Sequence, residues 1–532
     1  MSLRKQSFIQ GALILLAAGL LNRVLGFVPR IALPRMIGAE GVGLIQLVFP
    51  FTIVLLTIIS GGIPLAVAKL VAEADARGDE KRVKAVLRTA LAISLSLGLI
   101  AAAVCVMTAD FVATRIMTDS RVRLAFLAMI PVLPLVAVSS VWRGYFQGKQ
   151  NMIPTAISQT VETGFRIACT LLFAWLLLPY GLEWAAAGGV LGMVAGECAG
   201  LVALWAQFSR DRRKPSEPAE DAAVDTGSSS ITGRGVKGRS DKEWKVLLRT
   251  AVPVTGSRMI GSLSYLFESI LTVRSLTIAG VAAAAATAQY GALQGMVIPL
   301  LTLPGALTYS LAVSLVPSLS EAASRGDWRT IHARLHQSMR LAVVTGAPFV
   351  VLLGLMADPI CKLLYGDDSM AHMLRWIAPL AIFLYMQAPL QAALQALNRP
   401  GTALFNTFAG AAVKLVLIAQ LATDHRLGIL GAVIAIGANM TLVTLLHWIS
   451  VARCSGFRML PLDLLKVAAA MLIMSAATLR VWTFAPFGQD VMNMALAGFA
   501  GIVFYLLLLV LLKLVDREDL ARFGKLIFAK KS

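Results

Sequence analysis

Several charged residues sit where the surrounding sequence is too apolar to leave them in water. Arg23, Lys69, Arg143, Glu162, Arg166, Glu197, Arg258, Glu268 and Lys414 all stand within long apolar runs or near their ends. An arginine at the centre of a bilayer costs roughly 2.5–3.5 kcal/mol on insertion scales, so such a residue must face a partner, a water-filled cavity or an anion. The excess in this set is basic, and a guanidinium holds phosphate oxygens in a two-pronged fork. The set therefore suits an anionic cargo better than an organic cation, which would call for exposed carboxylates and aromatics. Each residue also has a purely structural reading. Glu162 and Arg166 are four residues apart and can neutralise one another on one helix face. Lys69 and Arg143 lie near the ends of their runs, where long stems can carry the charge to the interface, and Arg30 and Arg35 have the same option. Arg23 and Arg258 have no carboxylate at helical spacing, although Glu268 could reach across.

Nothing in the chain builds an active site. The histidines (His332, His336, His372, His425 and His447) fall in loops or at the ends of runs. Only His332 and His336 share a helical face. They stand in a basic stretch with neither cysteine nor carboxylate beside it, so no metal centre is expected. No phosphate-binding Walker loop, dinucleotide fingerprint or zinc-protease HExxH occurs. The cysteines (Cys105, Cys169, Cys198, Cys361 and Cys454) are scattered without a CxxC and read as small apolar residues. The expectation is a protein that is not an enzyme and takes no cofactor.

The elements that position these charges are membrane helices. Of the 532 residues, 58% are hydrophobic and only 14% charged, and the mean hydropathy is +0.76. That composition predicts an all-α integral membrane protein. A crossing needs about 20 mostly apolar residues, and about fourteen such stretches can be marked, from 8–30 to 491–513. The net charge of +19 is carried mainly by the loops at 73–85, 146–152, 209–246, 317–335, 398–401 and 451–461 and by both tails. This positive-inside pattern predicts cytoplasmic termini. No basic stretch carries the interleaved aromatics of a single-strand binder, so nucleic acid is not an expected partner. Arg4 and Lys5 precede the first apolar run as in a signal peptide. No small-residue cleavage site follows, and the run reads as a first membrane helix.

The chain also repeats itself. Asn22-Arg-Val-Leu-Gly26 returns as Ser257-Arg-Met-Ile-Gly261, and Glu73-Ala-Asp-Ala-Arg-Gly-Asp79 returns 248 residues later as Glu321-Ala-Ala-Ser-Arg-Gly-Asp327. At the same offset Arg166 meets Lys414 and Gln147 meets Gln395. The expected organisation is a six-helix lobe over 1–208, a polar linker over 209–246 and a second six-helix lobe over 247–451. Residues 452–532 then supply two further helices and a basic tail. An even number of crossings per lobe gives a parallel pair of repeats, with the pathway between them.

Asn22-Arg-Val-Leu-Gly-Phe27, Ile37-Gly-Ala-Glu-Gly-Val-Gly43, Lys69-Leu-Val-Ala-Glu-Ala-Asp-Ala-Arg-Gly-Asp79, Arg143-Gly-Tyr-Phe-Gln-Gly-Lys-Gln-Asn-Met152 and Ala288-Gln-Tyr-Gly291 carry a resemblance. Together they resemble the stage V sporulation protein B family, within the polysaccharide transporter branch of the multidrug/oligosaccharidyl-lipid/polysaccharide exporter superfamily. The resemblance covers the whole chain apart from the linker and extends to the lipid II flippases. It implies a multi-pass protein of the bacterial plasma membrane that serves spore cortex peptidoglycan. It implies a flippase for an undecaprenyl-linked, lipid II type precursor, working by alternating access, with cell-wall synthesis proteins as partners beside membrane lipids. Arg23 matches the essential-arginine motif of the first flippase helix, whereas the next arginine falls one residue out of register, at Arg30 after Pro29. The candidate substrate-binding set for a lipid-linked anionic glycan is Arg23, Arg258, Arg166, Lys414, Arg30, Glu162 and Glu268. The competing expectations are a membrane scaffold for cortex synthesis, and an exporter of another lipid-linked polysaccharide, a drug or a metabolite.

Overall fold

The structure is a computed structural model that describes residues 8–212, 243–457, 461–484, 490–512 and 514. Most of the expected linker, and the basic tail, lie outside the described residues. No strand occurs among those described, and the chain runs through twenty α-helices joined by short turns. Among the described residues eleven helical stretches are long and apolar enough to cross a membrane. One of them, Ala17–Asp75, is 59 residues long and covers two of the expected crossings. Two further expected crossings fall outside the eleven for visible reasons. Glu243–Ile278 is interrupted by Lys245, Arg249, Arg258, Glu268 and Arg274, and 283–324 is cut into shorter helices around Pro299 and Pro304. The total is consistent with the number read from sequence.

The helices group into two compact units. One comprises residues up to Pro29 with Leu47–Leu266, the other Arg30–Gln46 with everything from Phe267. The helices up to the first unit's boundary are α1 (Phe8–Leu25), α2 (Phe27–Ser60), α3 (Ile63–Asp75), α4 (Glu80–Phe111), α5 (Val122–Met129), α6 (Val132–Gly148), α7 (Ile153–Leu177), α8 (Leu182–Arg212) and α9 (Glu243–Ile278). The boundary runs through α2 and α9, so residues 30–46 and 267–278 belong to unit two. That unit continues with α10 (Ala283–Gly291), α11 (Ile298–Thr302), α12 (Gly305–Ser324), α13 (Trp328–Leu355), α14 (Ala357–Tyr365), α15 (Ala371–Ile377), α16 (Ala381–Ala396), α17 (Pro400–Leu421), α18 (Ile429–Ser455), α19 (Pro461–Phe484) and α20 (Asp490–Leu511).

The repeat seen in sequence is reproduced in turn geometry. Between α3 and α4, Gly78 takes φ +68° and Asp79 caps α4 by accepting from the Arg82 amide at 2.9 Å. Between α12 and α13, Gly326 takes the same φ of +68° and Asp327 accepts from the Thr330 amide at 3.0 Å. Glycine tolerates the left-handed turn and aspartate satisfies the first free amides of the next helix, which is why Arg-Gly-Asp marks both sites. Gln150 and Asn398, at equivalent positions, both enter the left-handed region, with φ of 56° and 58°.

In unit one, α3, α4, α6 and α8 with the start of α9 close around Val67, Leu70, Val86, Val141, Phe146 and Leu204. Helix α8 presents Gly188, Gly192, Gly196 and Gly200 along one stripe to α7. A Cβ at Gly192 would overlap the Thr170 backbone, and one at Gly196 would press on Arg166 and the Glu162 carbonyl. Small residues every fourth position let membrane helices approach backbone to backbone. In unit two, α12, α13, α16 and α18 pack with α19 and α20 around Leu319, Leu335, Met339, Leu390, Val451 and Tyr505. The Tyr505 hydroxyl of α20 donates to the Val344 carbonyl of α13 at 2.8 Å, so the two C-terminal helices share that core. The Ile37–Gly43 and Ala288–Gly291 motifs meet in the same unit. Cβ atoms at Gly43 and Gly291 would overlap the carbonyls of Thr287 and Ala39.

Candidate functional site: two buried charge networks

In unit one the charged residues of three helices converge. Arg143 of α6 donates from Nη2 to Glu162 Oε2 of α7 at 2.7 Å and lies 3.8 Å from Glu197 Oε1 of α8. Glu162 also holds Arg166, one turn on, at 3.4 Å. Ser139 of α6 donates its hydroxyl to Glu197. Two guanidiniums thus face two carboxylates, and the formal charges cancel. The network is closed at one end and open at the other: the Glu197 side chain is 7% exposed, that of Arg166 38%. The glycine stripe on α8 makes this possible, because it brings the Glu162 and Arg166 turns of α7 against Gly196 and Gly200. Arg143 does not run to the interface, as its place near the end of its run suggests. A nearby buried carboxylate is a stronger attraction than a longer path to water.

In unit two Lys414 of α17 pairs with Glu268 of α9. The free carboxylate oxygen of Glu268 accepts from Gln294 Nε2 at 2.7 Å. Gln294 lies in a wide π-turn over Ala292–Val297, inserted between α10 and α11. Such one-turn widenings re-aim side chains and recur at functional sites. Both charged side chains are almost fully covered, at 12% and 7% exposure. Glu268 is therefore the partner of Lys414.

The remaining candidates lie elsewhere. Arg23 on α1, Arg30 on α2 and Arg258 on α9 are exposed. Arg258 has Ser257 and Met259 beside it and Val254, Thr255, Gly261 and Ser262 one turn away, and its guanidinium has no partner among the described residues. Arg30 belongs to unit two, near Tyr365 at the end of α14, where its charge opposes the upward push that burial gives the phenol. Arg35 on the same stretch of α2 donates to the last carbonyls of α14, those of Leu363 and, at 2.8 Å, Leu364. On α14 burial, with Asp358 adding to it, pushes the Cys361 thiol up to about 12. The His332 ring contacts the Ser455 carbonyl at 2.6 Å, and His336 lies 3.3 Å from Asp463, so both tie α13 to its neighbours.

This arrangement of helices has known counterparts. Residues 8–323 match the polysaccharide biosynthesis protein family. The chain belongs to that family. It is 40% identical over 527 residues to stage V sporulation protein B of Bacillus subtilis strain 168, covering 98% of this chain and 99% of the relative. It is 26% identical over 484 residues to the lipid II flippase MurJ of the same organism, covering 88% and 86%. Among solved structures, an inward closed lipid II flippase MurJ superposes with a TM-score of 0.67 at 14% identity, over 92% of this chain and 97% of that one. An inward-facing multidrug resistance transporter of the MATE family, in the MOP superfamily, gives 0.60 at 16% identity over 82% and 95%. At these identities the likeness is one of fold. This polysaccharide biosynthesis family member is thus a multi-pass membrane protein with a flippase-type transporter fold, and the MurJ and MATE counterparts are named as a flippase and a transporter, not as enzymes.

Three participants lie outside the candidate binding set read from sequence, although Arg143 and Glu197 stand among its intramembrane charges. Arg143 heads the family-specific Arg143–Met152 run, and Glu197 follows directly on a glycine of the α8 stripe. Those signals point at both residues, though neither points at the other. Gln294 carries no local signal, because its role comes from the π-turn.

Proposed function

We propose that this protein is a flippase-like transporter that carries an undecaprenyl-linked peptidoglycan precursor of the lipid II type across the bacterial plasma membrane. On this reading it serves the spore cortex, works by alternating access and keeps both termini in the cytoplasm. The supporting observation is the contrast among the intramembrane cations. Arg143, Arg166 and Lys414 each have a carboxylate in contact. Arg258 is exposed and has no partner among the described residues. An arginine retained there without a protein anion fits a site whose anion arrives with the cargo. Arg258 then grips the pyrophosphate, with Arg23, which shares its Arg-x-x-Gly setting, as the second candidate. Lys414 and Arg166 hold helices together, with Arg166 retaining an open flank toward cargo. Because the cargo is charged, the membrane potential biases the cycle by about 2.3 kcal/mol per charge per 100 mV.

The test is reconstitution into vesicles with labelled lipid II, read as label reaching the opposite leaflet. Arg258→Ala should slow translocation about tenfold or more, the worth of one charge-assisted contact, at unchanged protein abundance. Arg258→Lys should fall between, since an ammonium cannot reproduce the fork. Full-rate translocation by Arg258→Ala would remove the anion site. A wild-type protein that moves no lipid in vesicles yet restores cortex in cells would make it a scaffold.

A further inference from the structure

A cavity of about 290 Å³ opens on unit one, and no member of that unit's charge network lines it. Its floor is α6, which packs against both α4 and α8, and those two helices form the walls. Trp142 of α6 stacks on Phe208 of α8, with ring centroids 5.6 Å apart and planes 15° from parallel. Trp205, a turn earlier on α8, stands exposed on one wall. The opposite wall carries Lys84 and Arg88, one turn apart on α4. Among the described residues Lys84 has an exposed pair with Glu80 at 3.6 Å, which is worth little. Arg88 has no partner among the described residues.

The depth is that of a membrane interface. Lys84 and Arg88 lie about 6 and 12 Å along α4 from its start, at 1.5 Å per residue. Phe208 is in the last turns of α8. Basic and indole side chains together, at the ends of crossings, are what lipid headgroup regions select. One turn beyond the cavity, α4 exposes Leu95 and then Leu99 at helical spacing, which extends the wall as an apolar track.

We propose that this cavity binds the headgroup of an anionic glycerophospholipid, with the phosphodiester on Lys84 and Arg88 and the glycerol against Trp205. One acyl chain then runs along Leu95 and Leu99. A lysine and an arginine on one wall match a single phosphodiester, and a space of about 290 Å³ takes a phosphoglycerol but not a disaccharide-peptide headgroup. The proposal is independent of what the protein transports.

The full chain in phosphatidylcholine vesicles carries its own reporters, Trp142 and Trp205. Brominated phosphatidylglycerol should quench tryptophan fluorescence more than brominated phosphatidylcholine at equal mole fraction. Lys84→Gln with Arg88→Gln should weaken that preference about tenfold or more, since each basic residue contributes separately to an anionic headgroup. Exchanging the two cations, Lys84→Arg with Arg88→Lys, should keep it. Should the double glutamine variant not fold, Arg88→Gln alone is read the same way. Equal quenching by the two lipids, or a preference that survives loss of both cations, overturns the site. Displacement of the brominated lipid by equimolar undecaprenyl pyrophosphate would also overturn it, since the cavity would then belong to a polyprenyl carrier.

Discussion

Arg166 and Lys414 stand at equivalent positions of the two repeats, yet they are neutralised in different ways. Arg166 takes its anion from its own helix, at Glu162, and shares it with Arg143. Lys414 takes its anion from α9, 146 residues earlier, and the position equivalent to Glu162 is Gly410. The surroundings follow suit. In unit one, a glycine stripe sets α7 and α8 backbone to backbone around a four-member network with one open end. In unit two the counterpart of Gly192 is Met440, and the ion pair is a single closed strap between α9 and α17. A cation can thus be kept at a duplicated position while its anion changes helix, provided local charge still cancels. Redundancy differs as well. Arg143 has two carboxylates within 4 Å, whereas Lys414 has one.

That asymmetry can be broken by mutation, beginning where the effect should be largest. Glu268→Ala leaves Lys414 as a covered, unpaired charge. It should cost about 3–5 kcal/mol and lower the amount of folded protein in membranes. Replacing both partners, Glu268→Gln with Lys414→Met, should recover most of the loss. Heat stability of the purified variants reads both. A Glu268→Ala protein as stable as wild type would mean the strap carries no load. Next comes Gly192→Val, whose added carbons meet the Thr170 backbone. It should destabilise unit one by about 1–3 kcal/mol or more, visible as a lower melting temperature, because α7 and α8 cannot stay in contact. Glu162→Gln should cost less, near the lower end of about 1–3 kcal/mol, because Arg143 still has Glu197 nearby. If Glu162→Gln proves as damaging as Glu268→Ala, the two networks are equally brittle and the second carboxylate near Arg143 gives no redundancy.

The smallest effect concerns the paired turns. Hydrogen bonds from Thr330, side chain first and then backbone, hold the Asp327 carboxyl below the usual carboxylate range. A depressed folded value means the cap's stabilisation is complete above the ordinary aspartate range and lost as pH falls through the lowered value. Asp327→Asn should keep the cap and remove that acid dependence, seen as a flatter melting temperature between about pH 5 and pH 2.

What could be read in the sequence was whatever has a local signature. The apolar runs, the Arg-Gly-Asp turns and the i,i+4 pair of Glu162 and Arg166 are patterns within a few residues, and each reappears in the structure. The equivalence of Arg166 and Lys414 was also legible, because duplication preserves spacing. Partners far apart along the chain were not. Nothing near Glu268 names Lys414, and nothing near Arg143 distinguishes a buried pair from a snorkelling stem, since both put a long cation near the end of an apolar run. Gln294 depends on a backbone widening that apolar periodicity cannot register.

Arg35 carries a consequence for how the protein is made. Its guanidinium closes the end of α14, but the carbonyl it grips at Leu364 belongs to a residue 329 positions later. At ribosomal rates of roughly 5–20 residues per second, that partner is synthesised on the order of tens of seconds after Arg35 has left the ribosome. During that interval an arginine beside an apolar helix must be tolerated by the insertion machinery, by water or by lipid headgroups. The early stretch of α2 is thus laid down before the rest of its unit exists, and the unit is complete only when a late segment of the chain returns to it.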